Sequence, residues 1–272
     1  MTRPLVATVS CGLGMLALAL AIHAARAMPT RVPAGAHALR MLATGAGSPT
    51  VVLETFGPAC LEIWNQIQPG IEGVARVVSY DHAGYWGSEP GPKPRDARRI
   101  AVELHAALRN ANLPPPYILV GYSFGGPYTR VFAGLYPNEV AGMVLVDPSQ
   151  EEFMAWLNAH FPKLNVVTDA DLQKQDEWGS QWISMGQAHD AILPDVPITL
   201  ITAAKIEGPL LGRLIPVWRG AHENWIRGHP GARHIVTTNS THGIFHTEPE
   251  LIAGAVREMV LKTQSKDTTA RR

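Results

Sequence analysis

Short apolar runs rich in β-branched residues alternate along the chain with segments whose apolar residues recur every three or four positions, and this alternation leaves few folds open. The runs are Thr50–Leu53, Val74–Tyr80, Tyr117–Val120, Met143–Val146, Ile198–Thr202 and His234–Thr237, each bounded by Gly, Pro, Asp or another polar residue. Between and after them, Ile100, Leu104, Leu108 and Ala111 fall on one helical face, as do Leu251, Ile252, Ala255, Val256, Met259 and Val260. Strands that are apolar on both sides need cover above and below, and the intervening helices supply it. The pattern predicts an α/β protein with a mostly parallel central sheet and helices on both faces. At 272 residues, 46% hydrophobic and 17% charged, the chain can close such a core without metals or disulfides.

One interval breaks the rhythm. About fifty residues, 148–197, separate two strand candidates where a crossover needs far fewer, so this stretch is expected to be an insertion. It carries Phe153, Trp156, Leu157, Phe161, Trp178, Trp182, Ile183 and Met185. That set suits a helical lid over an apolar cleft, and it suits equally a segment docked on the sheet.

The N-terminus reads as a targeting segment. Arg3, an apolar run from Leu5 to Ile22 and the small-x-small pattern Ala25-Arg26-Ala27 predict a cleaved signal peptide over 1–27 and a mature domain over 28–272, hence a secreted or periplasmic protein. The alternative is an uncleaved membrane anchor, the one route by which a membrane becomes a partner. Cleavage removes Arg3, Arg26 and Cys11, which leaves the remainder near neutral and Cys60 as the single thiol, unable to form an internal disulfide. With 23 basic and 23 acidic groups in the whole chain, there is no basic surplus for a nucleic-acid partner.

The stretch most informative about chemistry is Tyr117-Ile118-Leu119-Val120-Gly121-Tyr122-Ser123-Phe124-Gly125-Gly126, where a serine sits between a strand and a helix. Gly121 and Gly125 flank it with G-x-S-x-G spacing, as a sharp turn requires when side chains on either side would collide. Such a turn exposes the hydroxyl and places the backbone N–H of Phe124 where a carbonyl oxygen becomes negative during acyl transfer. A serine hydroxyl needs a base, and among 11 histidines His242 is singled out by position. It follows the last strand candidate and precedes the final helix, at the sheet edge where Ser123 also belongs. His246, four residues on, is expected to pack or cap that helix. His222-Glu223-Asn224-Trp225-Ile226 lacks the second histidine of a helical zinc site, and His229 and His234 belong to a Pro-Gly loop, so no metal is expected. No dinucleotide or phosphate loop occurs, and no cofactor is implied.

These residues resemble those of serine hydrolases of the α/β-hydrolase superfamily, esterase- and lipase-like. Besides Gly121–Gly126, the segment Tyr80-Asp81-His82-Ala83-Gly84-Tyr85-Trp86-Gly87-Ser88 is similar to the family's D-x-x-G-x-G-x-S loop, with Trp86 displacing one glycine. Tyr136-Pro137-Asn138-Glu139-Val140 matches the end of the helix after the nucleophile, and His242 with Pro249 keeps the terminal His-to-Pro spacing. The resemblance implies the α/β-hydrolase fold over roughly residues 38–262, a nucleophile elbow and an oxyanion hole. Two departures stand out. The family's His-Gly oxyanion loop is replaced by Glu54-Thr55-Phe56-Gly57, which by alignment makes the N–H of Phe56 the second donor. No aspartate follows the penultimate strand, where the sequence reads Thr202-Ala203-Ala204-Lys205-Ile206-Glu207. The acid that should orient His242 is therefore expected to be Asp147, at the end of Met143–Val146, where some lipases of this fold carry theirs, with Glu207 as the alternative. Asp81 is expected to organise its own loop.

The expectation is an exported hydrolase cleaving carboxylic esters through Ser123, His242 and Asp147, on a small-molecule substrate with an apolar acyl group. Serine at the elbow argues against the dehalogenase and epoxide-hydrolase chemistry that this superfamily performs with a carboxylate nucleophile. An amidase or peptidase on the same triad, and a binding protein that kept the fold without the chemistry, remain open.

Overall fold

A computed structural model describes residues 27–162 and 167–270. The leader expected over 1–27 thus lies outside the described residues except for its last position. Among the described residues eight strands form one sheet in the order β1-β2-β4-β3-β5-β6-β7-β8. β3 (Thr50–Glu54), β4 (Arg76–Tyr80), β5 (Tyr117–Tyr122), β6 (Val140–Val146), β7 (Ile198–Ala203) and β8 (Arg233–Thr237) are parallel, matching the six apolar runs. Two further strands, β1 (Thr30–Pro33) and β2 (Ala38–Thr44), join antiparallel at one edge. Their signal is weak for physical reasons. β1 is four residues long and ends in proline, and β2 buries Leu39 and Met41 on one face while its intervening residues stay partly exposed. His234 lies on β8, as the run His234–Thr237 predicts, and not in the Pro-Gly loop that precedes it.

Each parallel strand sends alternate side chains to opposite faces. On one face Val52, Leu119, Leu145 and Leu200 meet α1 (Ala97–Asn110) through Ile100, Leu104 and Leu108, and α2 (Gly125–Leu135) through Phe132. On the other, Val51, Leu53, Ile118, Val120, Val144 and Ile201 meet Trp64 and Ile67 of a pair of short 3-10 turns, and Ile252, Val256 and Val260 of the final helix. Asp96 caps α1 by accepting a hydrogen bond from the Arg99 N–H at 2.9 Å.

Between β6 and β7 the long interval folds into α3 (Glu151–His160), α4 (Asp169–Lys174) and α5 (Gln181–His189). Its parts have separate destinations. α5 docks against α1, whose first-turn N–H groups it satisfies: Ala97 donates to Ser184 Oγ (3.0 Å) and Arg98 to Gln187 Oε1 (2.8 Å). Met185 and Ala188 are thereby part of the body's core. α3 leans instead on α6 (Gly208–Arg227), with Phe153 edge-on to Trp218 at 4.7 Å between ring centroids. α6, a 20-residue helix carrying Pro216 within it, carries no strong signal in the sequence because Pro and Gly interrupt its apolar spacing. A short α7 (Ile244–Thr247) and the long α8 (Pro249–Ala270) complete the chain.

Candidate active site

β5 carries Ser123 to the sheet's C-terminal edge and releases it in the left-handed region, at φ 55°. That conformation is costly for a residue with a Cβ, and the surroundings hold it there. The Ser123 N–H still donates to Val146 O (3.1 Å), and its carbonyl accepts from Gly126 (3.0 Å) and Ser149 (3.0 Å). The glycines are required by contact. A Cβ at Gly121 would lie 2.6 Å from Gly125 O, and one at Gly125 would collide with the carbonyl of Glu54. The loop after β3 therefore packs directly on the elbow.

The next strand delivers the carboxylate in the same way. Asp147 follows β6 with φ 44°, its N–H donating to Ile201 O at 2.7 Å. Its side chain is buried. Oδ1 accepts from the Ala203 N–H (2.9 Å) and the Trp218 indole N–H (2.7 Å), which leaves Oδ2 to face His242 Nδ1 at 2.6 Å. His242 Nε2 lies 3.0 Å from Ser123 Oγ. The three groups form one hydrogen-bonded line, although they lie 95 and 119 residues apart in the chain.

The imidazole reaches this line from the loop after β8. Glu248 gathers that loop, accepting hydrogen bonds from the hydroxyls of Thr237 and Ser240, while Lys205 donates its N–H to Ser240 O at 3.0 Å. Tyr122, next to the serine, stacks on the His242 ring at 5.1 Å and donates its hydroxyl to the His242 carbonyl at 2.8 Å. Trp218 closes the other side, edge-on at 5.6 Å.

In front of Ser123 opens a cavity of about 420 Å³. Phe56, Phe124 and Trp178 form one wall, Phe153 and Leu157 of α3 a second, and Leu211, Leu214 and Ile215 of α6 a third. The loop bearing Phe56 meets the elbow through the Phe56 and Phe124 rings, 5.3 Å apart. Half of the His242 side-chain surface stays exposed, so the line of polar groups is reached from solvent through this apolar mouth.

Residues 49–193, more than half of the chain, match the family described as alpha/beta hydrolase fold. The chain belongs to the α/β-hydrolase superfamily. An uncharacterised Bacillus subtilis protein, YqjL, is 24% identical over 223 residues, covering 79% of this hydrolase-fold chain and 85% of its own. An AB hydrolase superfamily protein of Gibberella zeae is 31% identical over 108 residues, 38% of this chain and 34% of that protein. Among solved structures, a loop variant of a haloalkane dehalogenase from Bradyrhizobium elkanii superposes with TM-score 0.69 at 13% identity, covering 89% of this chain and 99% of its own. An esterase from Thermogutta terrifontis does so with TM-score 0.62 at 18% identity, over 87% and 99%. At such identities the superpositions show a common fold.

Within this hydrolase fold, Glu207 is not near the line. It flanks α6, more than half exposed and paired with Lys205 at 2.7 Å. Asp147 alone of the two faces His242 because β6 ends one strand closer to Ser123. Asp81 holds its own loop by accepting from the Gly87 N–H (3.4 Å) and the Ser88 hydroxyl (2.6 Å, at its carbonyl), and ties it to the body by accepting from Leu61 N (2.8 Å) and Arg40 Nη1 (2.8 Å). His246 is exposed, in the last turn of α7, with its ring packed against Phe245. Two supports had no signal in the sequence: Trp218, from the unassigned α6, and a buried chain behind the acid. In that chain His222 Nε2 lies 2.7 Å from Pro148 O, while Thr202 Oγ1 bridges His222 Nδ1 (2.8 Å) and His234 Nε2 (2.7 Å). Burial pushes the pKa of His222 down, which suits a neutral ring donating from Nε2 and accepting at Nδ1.

Proposed function

We propose that this protein is an exported serine hydrolase that cleaves carboxylic esters with an apolar acyl group. The observation that carries the reading is the continuous line Ser123 Oγ, His242 Nε2, His242 Nδ1, Asp147 Oδ2, with contacts of 3.0 and 2.6 Å, at the floor of an apolar cavity.

In this reading Ser123 Oγ attacks the acyl carbonyl while His242 Nε2 takes its proton. Asp147, with its second oxygen already occupied by Trp218 and Ala203, keeps the other proton on Nδ1 and stabilises the imidazolium. The N–H groups of Phe124 and Phe56 hold the oxyanion of the tetrahedral intermediate. His242 then gives its proton to the departing alcohol, and water, activated by the same ring, releases the acid from the acyl-enzyme. The fold neighbours described as an esterase and as a putative lipase fit this chemistry. The dehalogenase neighbour fits it less well, because serine stands at the elbow of this chain.

The test is turnover of p-nitrophenyl esters of increasing acyl length. The expected result is hydrolysis that favours apolar chains of several carbons and is lost in a folded Ser123→Ala variant. Unchanged hydrolysis by that variant would refute the assignment.

A further inference from the structure

Beneath the loop that bears Phe56 lies a charged cluster that the triad does not use. Glu54, His82 and Glu177 are all buried, at 1%, 2% and 0% exposure. His82 stands between two carboxylates, with Nε2 2.6 Å from Glu54 Oε1 and Nδ1 2.9 Å from Glu177 Oε1. Both ring nitrogens face carboxylate oxygens, the arrangement that an imidazolium donating from both satisfies. Two tyrosines complete the cluster. The Tyr80 hydroxyl donates to Glu54, and the Tyr128 hydroxyl to Glu177 at 3.5 Å. Among the described residues no group of His, Cys, Asp or Glu is arranged to hold a metal ion, and here the imidazole itself occupies the space between the acids.

The remaining lone pairs of the two carboxylates go to the oxyanion loop. The Thr55 N–H donates to Glu54 Oε1 at 2.8 Å, and the Gly57 N–H donates to Glu177 Oε2 at 2.8 Å. These are the backbone donors immediately before and after Phe56. A Cβ on Gly57 would sit 2.5 Å from Glu177 Oε1, so the loop is pressed onto the carboxylate. Glu177 comes from the turn between α4 and α5, and the next residue, Trp178, packs on Phe56 with centroids 6.1 Å apart. The long insertion thus reaches under the loop with a charge and over it with an indole.

We infer that Glu54, His82 and Glu177 are positioning residues for transition-state binding: the imidazolium draws two carboxylates together, and they pin the peptide groups on either side of Phe56 so that its N–H is fixed toward the oxyanion. The inference rests on the esterase reading above. The imidazolium has a second effect on the same step. An oxyanion forming beside Phe56 would otherwise face two like charges in a buried site, and His82 cancels one of them. The interactions strengthen only as the carbonyl oxygen becomes negative, so their loss should appear in kcat and leave ground-state binding nearly intact.

The experiment compares the full-length wild type, Ser123→Ala, His82→Gln and Glu177→Gln in steady-state hydrolysis of a p-nitrophenyl ester. An alkyl trifluoromethyl ketone serves as the tetrahedral probe, and folding is followed by circular dichroism. Glutamine at 82 cannot bridge both acids, and glutamine at 177 has one carbonyl for the three donors His82, Gly57 and Tyr128. For His82→Gln, kcat is expected to fall about 10- to 100-fold with KM within about 3-fold, and ketone affinity to fall in step with kcat/KM. Glu177→Gln is expected to lose about 10-fold in the same two quantities, and it carries the test if His82→Gln does not fold. If folded variants keep kcat and ketone affinity while Ser123→Ala is inactive, the cluster only holds the fold and this inference falls alone. If the wild type shows no Ser123-dependent turnover, the esterase reading falls and takes the inference with it.

Discussion

Asp147 shows how one residue's environment suits it to a proposed role for which the sequence leaves two carboxylates open. A carboxylate that orients an imidazole must be buried, must face Nδ1 and must have its other oxygen occupied so that it cannot swing away. Asp147 meets all three conditions, with Ala203 and Trp218 on Oδ1 and His242 on Oδ2. Glu207 is exposed and paired with Lys205, not with His242. Asp147→Asn, which keeps the shape but turns a donor toward Nδ1 or leaves the wrong tautomer, is expected to lower kcat on the order of 10³- to 10⁴-fold. Glu207→Gln should stay within about 2-fold of wild type, as surface substitutions away from such features do. Parallel ester assays on the two purified variants check this, and a large loss in Glu207→Gln would reverse the assignment. Ser123 and His242 were legible because an elbow and a terminal loop have fixed local grammar. The carboxylate that faces His242 was legible only as one of two candidates, since nothing near Asp147 in the chain says that an indole 71 residues later will bind it.

At the scale of elements, the cavity is made by a meeting of helices from two separate connections. α3 comes from the long insertion and α6 from the crossover between β7 and β8, and their side chains enclose the space in front of the serine. The insertion is visible in the sequence as excess length and aromatic content. Its division of labour is not, because Trp182 and Met185 of α5, the helix that docks on α1, read like Phe153 and Leu157 of α3, which line the cavity. α6 escapes the reading altogether, as Pro216 and scattered glycines dilute its periodicity. Leu214 on α6 faces the cavity, and Leu214→Trp should fill part of it. The expected outcome is a loss of about 10-fold or more in kcat/KM for an octanoyl ester, with an acetyl ester within about 3-fold. A chain-length series on the variant measures it, and equal losses at all lengths would place the acyl group elsewhere.

The whole molecule joins its parts through groups that no local pattern announces. The central parallel strands were legible because both their faces are buried and their sequences are continuously apolar, whereas β1 and β2 are short or half-exposed. The cluster of Glu54, His82 and Glu177 was illegible for another reason: it gathers one strand end, one loop and one insertion through contacts 28 and 95 residues apart in the chain, and each member alone reads as an ordinary polar residue. Its electrostatics predict a pH dependence of stability. Burial alone would push the His82 imidazole down, but the charges of Glu177 and Glu54 outweigh it and raise the pKa from 6.5 to about 10. Between these values the folded chain holds a proton that the unfolded chain releases, so the stabilisation is complete below about pH 6.5 and is lost as pH rises through about 10. Thermal melts across this window should show a decline in the wild type that is much flatter in His82→Gln. Identical slopes would mean that His82 is not charged in the folded state.

All three scales converge on whether Ser123 is an activated nucleophile. The direct measurement is labelling of the intact protein with a fluorophosphonate, followed by peptide mapping of the adduct. The expected result is one adduct per chain, on Ser123, absent in Ser123→Ala and slowed at least about 100-fold in His242→Ala. A folded wild type that takes up no label, or carries it on another residue, would contradict it.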